Sequence, residues 1–188
     1  MHLVVGLGNP GPKYAGNRHN VGFRVIEELA RESGIRLEQR KFKALLGTGE
    51  VEGKPAVLAL PQTFMNLSGE AAGEAARFWK IETANVVVVH DELDLDFGRL
   101  QVKVGGGLAG HNGLKSLAQH LGPEFVRLRF GVGRPPQGWD GADYVLNDFS
   151  KAEQKALDEE VKFAVQAVKT IVKDGPQKAM NVFNRKTP

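Results

Sequence analysis

The segment Asn85-Val86-Val87-Val88-Val89-His90 constrains this chain more than any other. Consecutive β-branched residues favour extended backbone. An apolar run without alternation must be covered on both faces, so it predicts a central strand of a layered α/β fold. Neighbouring segments supply the layers. His2 to Leu7 reads as another strand. Val21 to Ser33 carries Val25, Ile26 and Leu29 at helical spacing, with Gly34 to close it. Ala44–Val51 and Lys54–Leu60 read as a hairpin turning at Glu52-Gly53, which makes the sheet mixed. Ser68 to Lys80 is alanine-rich and helical, and Arg99–Val104 is a further strand. Leu114, Leu117, Ala118 and Leu121 mark a helix stopped by Gly122-Pro123. Val126 to Val132 alternates with Arg127, Arg129 and Gly131, which predicts a strand with one face in solvent. Ser150-Lys151-Ala152-Glu153 is a capping box opening a long helix that ends at Gly175-Pro176, and an amphipathic tail runs from Gln177 to Arg185. The expectation is one α/β domain over residues 1–188, a mixed, partly parallel twisted sheet wrapped by helices.

Composition removes whole classes of chemistry. The chain has 188 residues and no cysteine, so disulfides, thiolate nucleophiles and zinc–sulfur sites are excluded. No apolar run approaches the roughly 18 residues that would span a bilayer, and the first residues lack the basic and small-residue pattern of a signal peptide. The net charge of +3 permits an anionic partner without requiring one. Arg36, Arg40, Lys41 and Lys43 cluster early, and Arg99, Lys103, Lys115, Arg127, Arg129 and Arg134 populate the second half. The pattern fits a solvated surface, or in part a nucleic-acid footprint.

Gly6-Leu7-Gly8-Asn9-Pro10-Gly11 has the spacing of a dinucleotide-binding loop, but Pro10 and Pro12 fall where its helix would begin, and each removes an amide donor. None of Ser33, Ser68, Ser116 and Ser150 sits in a nucleophile elbow, so water is the attacker if the chain hydrolyses anything. Histidine is then the natural base, because its ordinary pKa of about 6.5 lies near working pH. His19 and His111 occupy polar segments before helices; His2, His90 and His120 read as structural or surface residues. Asp91 ends the valine strand, where a carboxylate can orient an imidazole in the crevice of an α/β sheet. The acidic stretch Asp91 to Asp96 lacks the glycine of a calcium loop, so no metal is expected. Asn9, Asn66 and Asn112 lie in loops. They suit turns and caps, and Asn112 could cap the following helix. Equally, neutral amides can recognise a peptide backbone or face an oxyanion.

Six blocks together resemble the bacterial peptidyl-tRNA hydrolase family: Gly6 to Gly11 with Tyr14; Arg18-His19-Asn20-Val21-Gly22; Phe64-Met65-Asn66-Leu67-Ser68-Gly69; His90-Asp91-Glu92-Leu93-Asp94; Gly110-His111-Asn112-Gly113-Leu114; and Arg129-Phe130-Gly131-Val132-Gly133-Arg134-Pro135. They follow the family's order from about Leu3 to Phe183. Asn17, Ala109 and Asp96-Phe97 depart from the residues usual there. The resemblance implies an esterase that frees tRNA from peptidyl-tRNA, engaging its acceptor end as a cytoplasmic monomer without cofactor or membrane. It makes His19 the base that activates water and Asp91 its orienting partner. Asn9, Asn66 and Asn112 would bind the peptide and polarise the ester. Tyr14, Phe64 and Met65 would line the cleft, His111 would position Asn112, and Lys103 and Arg134 would clamp a tRNA phosphate. The competing readings are a non-catalytic RNA-binding splicing factor on the same fold and a nucleotide-dependent oxidoreductase.

Overall fold

The computed structural model describes residues 1–108 and 110–184, so the expectations at Ala109 and Arg185 lie outside the described residues. In chain order the elements are β1 (His2–Gly6), α1 (Val21–Ser33), β2 (Gln39–Lys41), β3 (Ala44–Val51), β4 (Lys54–Pro61), α2 (Ser68–Phe78), β5 (Val86–Glu92), β6 (Leu100–Val104), α3 (Asn112–Leu121), β7 (Val126–Gly131), α4 (Gly141–Val145), α5 (Lys151–Asp174) and α6 (Pro176–Phe183). The seven strands among the described residues form one sheet in the order β2-β3-β4-β1-β5-β7-β6. The inner strands β4, β1, β5 and β7 are mutually parallel; β2, β3 and β6 run antiparallel to their neighbours. No helix among the described residues is long and apolar enough to cross a membrane.

The valine run does what its lack of alternation requires. Val87 and Val89 enter one core with α1, α5 and α6, whereas Val86 and Val88 enter the other with α2 and α3. The hairpin turns through Glu52 (φ 51°) and Gly53 (φ 75°), both left-handed, as a two-residue turn matched to strand twist demands. Ser150 and Glu153 exchange both capping hydrogen bonds at the start of α5.

The chain passes from β1 to β4 on one side and returns to β5 on the other. The carboxyl ends of β1 and β5 therefore flank the crevice where α/β sheets bind ligands. Helix α1 presses unusually close to this point. A Cβ on Gly22 would lie 2.4 Å from the Val89 carbonyl oxygen and 2.7 Å from the Leu7 nitrogen. Only glycine permits that approach, and it sets the 3-10 turn Arg18–Asn20, just before α1, against the ends of both strands.

Two expectations need correction. Strand β7 has no solvent face: Arg127 is 0% exposed. Its guanidinium donates to the carbonyls of Gly106, Gly107 and Pro123, so a backbone loop covers the face that alternation marked as wet. The cap of α3 is His111, not Asn112; its Nδ1 accepts from the Gly113 and Leu114 amides.

Candidate active site

His19 lies in the 3-10 turn held by α1. Its Nδ1 is 2.8 Å from Asp91 Oδ2, and it makes no other hydrogen bond among the described residues. His111 Nε2 meets the second carboxylate oxygen at 2.9 Å. Asp91 is 4% exposed. Burial alone would raise its carboxyl, but the attraction and hydrogen bonds of the His19 and His111 rings outweigh burial and hold it well below the ordinary carboxylate range. Burial alone would lower the His19 imidazole; the Asp91 charge and hydrogen bond reverse that and raise it above 6.5. The His90 ring behind them is pushed down to about 3, mainly by complete burial.

His19, Asp91 and His111 are the one described group whose ligand atoms converge on a point suited to a cation, all within 4.8 Å. Their hydrogen bonds argue for proton sharing instead. His111 Nδ1 accepts two backbone N–H groups, so the ring's proton must sit on Nε2 and point at Asp91. Metal ligation through Nε2 would force that proton onto Nδ1, against both amides.

Asn9 is 8% exposed and rigidly held. Its Oδ1 accepts from the Met65 amide at 2.7 Å. Its backbone N–H donates to Asn20 Oδ1 and its carbonyl accepts from Asn20 Nδ2, each at 2.9 Å. Asn20 stands at the N-cap of α1 yet makes no capping bond there; it holds Asn9 instead. With its oxygen committed, Asn9 has only Nδ2 to offer the cleft. Asn66 and Asn112 are exposed, and their side chains have no hydrogen bond among the described residues.

A cavity of about 540 Å³ joins these groups: Asn9, Met65, Asn66, Asp91, His111 and Asn112 line it with His19, and α4 closes one side. Phe64, 58% exposed, stands at the mouth, with Tyr14 edge-on at 6.4 Å behind it. The structure thus brings the proposed base, carboxylate, amides, Phe64 and Met65 into one cleft, whereas Tyr14, expected to line it, meets the Phe64 ring outside the lining. It does not bring Lys103 and Arg134 together. Lys103 pairs across the sheet with Arg127, and Gly131 is about 13 Å further along β7. Arg134 lies beyond that end, paired with Asp94 at 3.1 Å. Besides the buried Arg127 directly opposite, Arg129 lies diagonal to Lys103 on the same sheet face, bonded to Gln101.

Arg18 is a supporting residue that the sequence reading quoted without a role. It is buried, bonds Glu153 at 3.0 Å, packs its guanidinium 3.9 Å from the Tyr144 ring centroid, and so ties α4 and the α5 cap to the His19 turn. The signal available was its place beside His19 in a polar loop, since an arginine next to a candidate base needs an anion somewhere.

The sequence matches the family model described as peptidyl-tRNA hydrolase over residues 3–188. It is 51% identical to the peptidyl-tRNA hydrolase of an Anaeromyxobacter species over 188 residues, covering 100% of this chain and 98% of that one. It is 48% identical to that of Geotalea daltonii over 187 residues, covering 99% and 97%. The crystal structure of peptidyl-tRNA hydrolase from Acinetobacter baumannii superposes with a TM-score of 0.93 at 40% identity, covering 100% of this chain and 96% of that one. Taken with the cleft geometry, these matches place the chain in the peptidyl-tRNA hydrolase family.

Proposed function

We propose that this protein hydrolyses the ester joining a peptide to the 3′ end of tRNA, freeing tRNA for reuse after aborted translation, and that it does so with water activated by His19. The observation that carries this reading is the 2.8 Å contact between His19 Nδ1 and Asp91 Oδ2 at the wall of a cleft whose amides face the same space. Asp91 fixes the ring with its free Nε2 toward the cavity and supports the imidazolium that forms when water is deprotonated. Proton transfer of this kind contributes about 10²–10⁴-fold. The ribose oxygen of an ester leaves more readily than an amine, so no acyl-enzyme or cofactor is called for. As the carbonyl becomes tetrahedral, Asn9 Nδ2 donates to the oxyanion from a fixed position. Asn66 and Asn112 bond the first peptide amide, and a free α-amine would both forfeit those bonds and bring a charge to desolvate. Phe64 and Tyr14 meet the acceptor end, and Lys103 takes a phosphate, working as a single cytoplasmic chain.

The test is ester cleavage in the presence of chelator, with N-acetyl-aminoacyl-tRNA and free aminoacyl-tRNA compared. The expected result is cleavage of the blocked form alone, lost in His19→Ala while tRNA still binds. Bound but uncleaved tRNA with the native chain would favour a non-catalytic RNA-binding protein.

A further inference from the structure

Asp91 receives two imidazoles, and the chemistry above uses one. The second is held in a way that dictates its protonation. His111 Nδ1 lies 3.1 Å from the Gly113 nitrogen and 3.4 Å from the Leu114 nitrogen, at the first turn of α3. Both are N–H donors, so Nδ1 must present its lone pair. The ring's single proton sits on Nε2 and is donated to Asp91 Oδ1 at 2.9 Å. A second proton would have to enter at Nδ1, head-on to two amides at the positive end of a helix. His19 meets no such obstacle: its Nδ1 donates to Oδ2, and its Nε2 is open to receive a proton.

We propose that His111 is a positioning residue that acts through Asp91: a ring confined to one proton draws off part of the carboxylate's charge, so that His19 gives up its proton at working pH while remaining aimed. This rests on the reading of His19 as the base. The groups facing His111 are few. From β5 come Asp91 and His90, whose ring lies 5.1 Å away and is uncharged near neutrality. Glu92, next on that strand, has Arg129 within 3.6 Å to offset it. From the 3-10 turn comes His19, at 5.1 Å. On α3 itself Lys115 is exposed to solvent. Among the described residues, only Asp91 is a bare charge in contact with both rings.

The two halves of the ring can be separated by substitution. Asparagine is a good helix cap, so His111→Asn keeps an acceptor for the α3 amides but is too short to reach Asp91. Relieved of one donor, Asp91 concentrates its charge on His19, which then holds its proton to higher pH. The expected result is a native-like melting temperature, a KM for N-acetyl-aminoacyl-tRNA within about twofold of wild type, and an acid limb of kcat shifted up by about one pH unit. That shift corresponds to a rate about tenfold lower on the limb and recovered at alkaline pH. A uniform loss at every pH with the limb unmoved, or an unchanged profile, overturns the proposal. Nitrogen NMR of the imidazoles in the full wild-type chain tests it without a variant. At the pH of the activity assay His111 should carry its proton on Nε2, with Nδ1 left as the acceptor of the two amides. A His111 that carries a proton on Nδ1 overturns it. A wild-type chain that cleaves nothing would instead sink the hydrolase reading, and the NMR result would still decide the state of the two rings.

Discussion

Asn9 and Asn112 carry the same amide into the same cleft, but one is buried with its oxygen bonded to the Met65 amide and the other is exposed without a side-chain partner among the described residues. The difference runs through the whole site. One wall, built from the ends of β1 and β5 and the 3-10 turn before α1, is cross-braced: Asn20 holds Asn9, Asp91 holds His19, and Arg18 ties the turn to Glu153. The other wall, from Phe64 to Leu67 and the start of α3, presents Asn66 and Asn112, exposed amides whose side chains have no partner among the described residues. A braced donor suits a transition state, whose geometry is fixed, because no reorganisation is needed as charge develops. Free amides suit a peptide of variable sequence, whose backbone is the one constant feature.

The largest expected effects lie on the braced wall. Asn9→Asp retains an oxygen for the Met65 amide but exchanges the Nδ2 donor for a negative oxygen. It should fold near normally and lose about 10²–10³-fold or more in kcat. Asn9→Ala should lose comparable activity and also about 1–3 kcal/mol of stability, because the buried Met65 amide is orphaned. Paired kinetics and denaturation on both variants separate the two roles. An active Asn9→Asp enzyme would mean that the oxyanion is met elsewhere.

Gly22→Ala probes the brace from a distance. The added methyl would meet the Val89 carbonyl and the Leu7 nitrogen, backbone atoms that cannot rotate away. Overpacking of this kind costs about 1–3 kcal/mol, and the adjacent His19 turn must shift to relieve it. A drop in both melting temperature and kcat, with KM for blocked substrate largely retained, is the expected signature. A drop in stability alone would show that the turn is held by Asp91 and Arg18 rather than by the seat of α1.

Proton linkage distinguishes groups within this wall. His90 is buried and pushed down to about 3, so the unfolded chain binds a proton that the folded chain refuses. Full stability holds above about pH 6.5, and as pH falls toward 3 it declines by about 1.4 kcal/mol per unit from this group. His90→Gln, which can still donate to the Asp91 carbonyl, should flatten that part of a urea-denaturation profile. His19 has the opposite sign. Its raised value contributes stability below about 6.5 that is lost as pH rises through the folded value. The same raise places the acid limb of activity above 6.5, since only the neutral ring can accept a proton from water.

On the free wall the expected effects are smaller and of a different kind. Asn66→Ala and Asn112→Ala should change stability by less than about 0.5 kcal/mol, as exposed positions without partners do. They should raise KM for N-acetyl-aminoacyl-tRNA and narrow its preference over free aminoacyl-tRNA by about tenfold each, as the loss of a hydrogen bond worth about 1 kcal/mol implies. Unchanged selectivity in both would move discrimination to the braced wall.

The two walls also differ in how far they could be read from sequence. Features decided within a few residues were legible: the Glu52-Gly53 turn, the Ser150–Glu153 capping box, and the valine run that divides between two cores. His19, His111, Asp91 and the three asparagines stood out as candidates because each is a chemically distinctive residue at a loop or strand end, and the choice of His19 as base and of the asparagines as peptide-binding amides came from the family resemblance. Features decided by distant backbone could not. Arg127 looks like a solvent-facing residue until the Gly106–Gly107 carbonyls fold over it, and the cap on α3 falls to His111 because Asp91 fixes that ring from another element. Strand β2 has no periodicity to betray it; it is three exposed polar residues paired at the sheet edge. The bracing of Asn9 by Asn20, eleven residues along, is a closure of the same kind.

The smallest expected effect concerns charges outside both walls. Lys103 and Arg134 look equivalent in sequence as cations for a phosphate, and the sheet sets them apart. Lys103 has no ion-pair partner among the described residues, so a phosphate can take its full charge and release a counterion. Arg134 is paired with Asp94 on the exposed surface, so a phosphate there would compete with that carboxylate for it. Lys103→Ala should therefore reduce the slope of log affinity for tRNA against log salt by about one unit, whereas Arg134→Ala should leave it nearly unchanged. Equal slopes in the two variants would mean that the pair with Asp94 opens on binding, and that both cations reach the acceptor arm from opposite ends of β7.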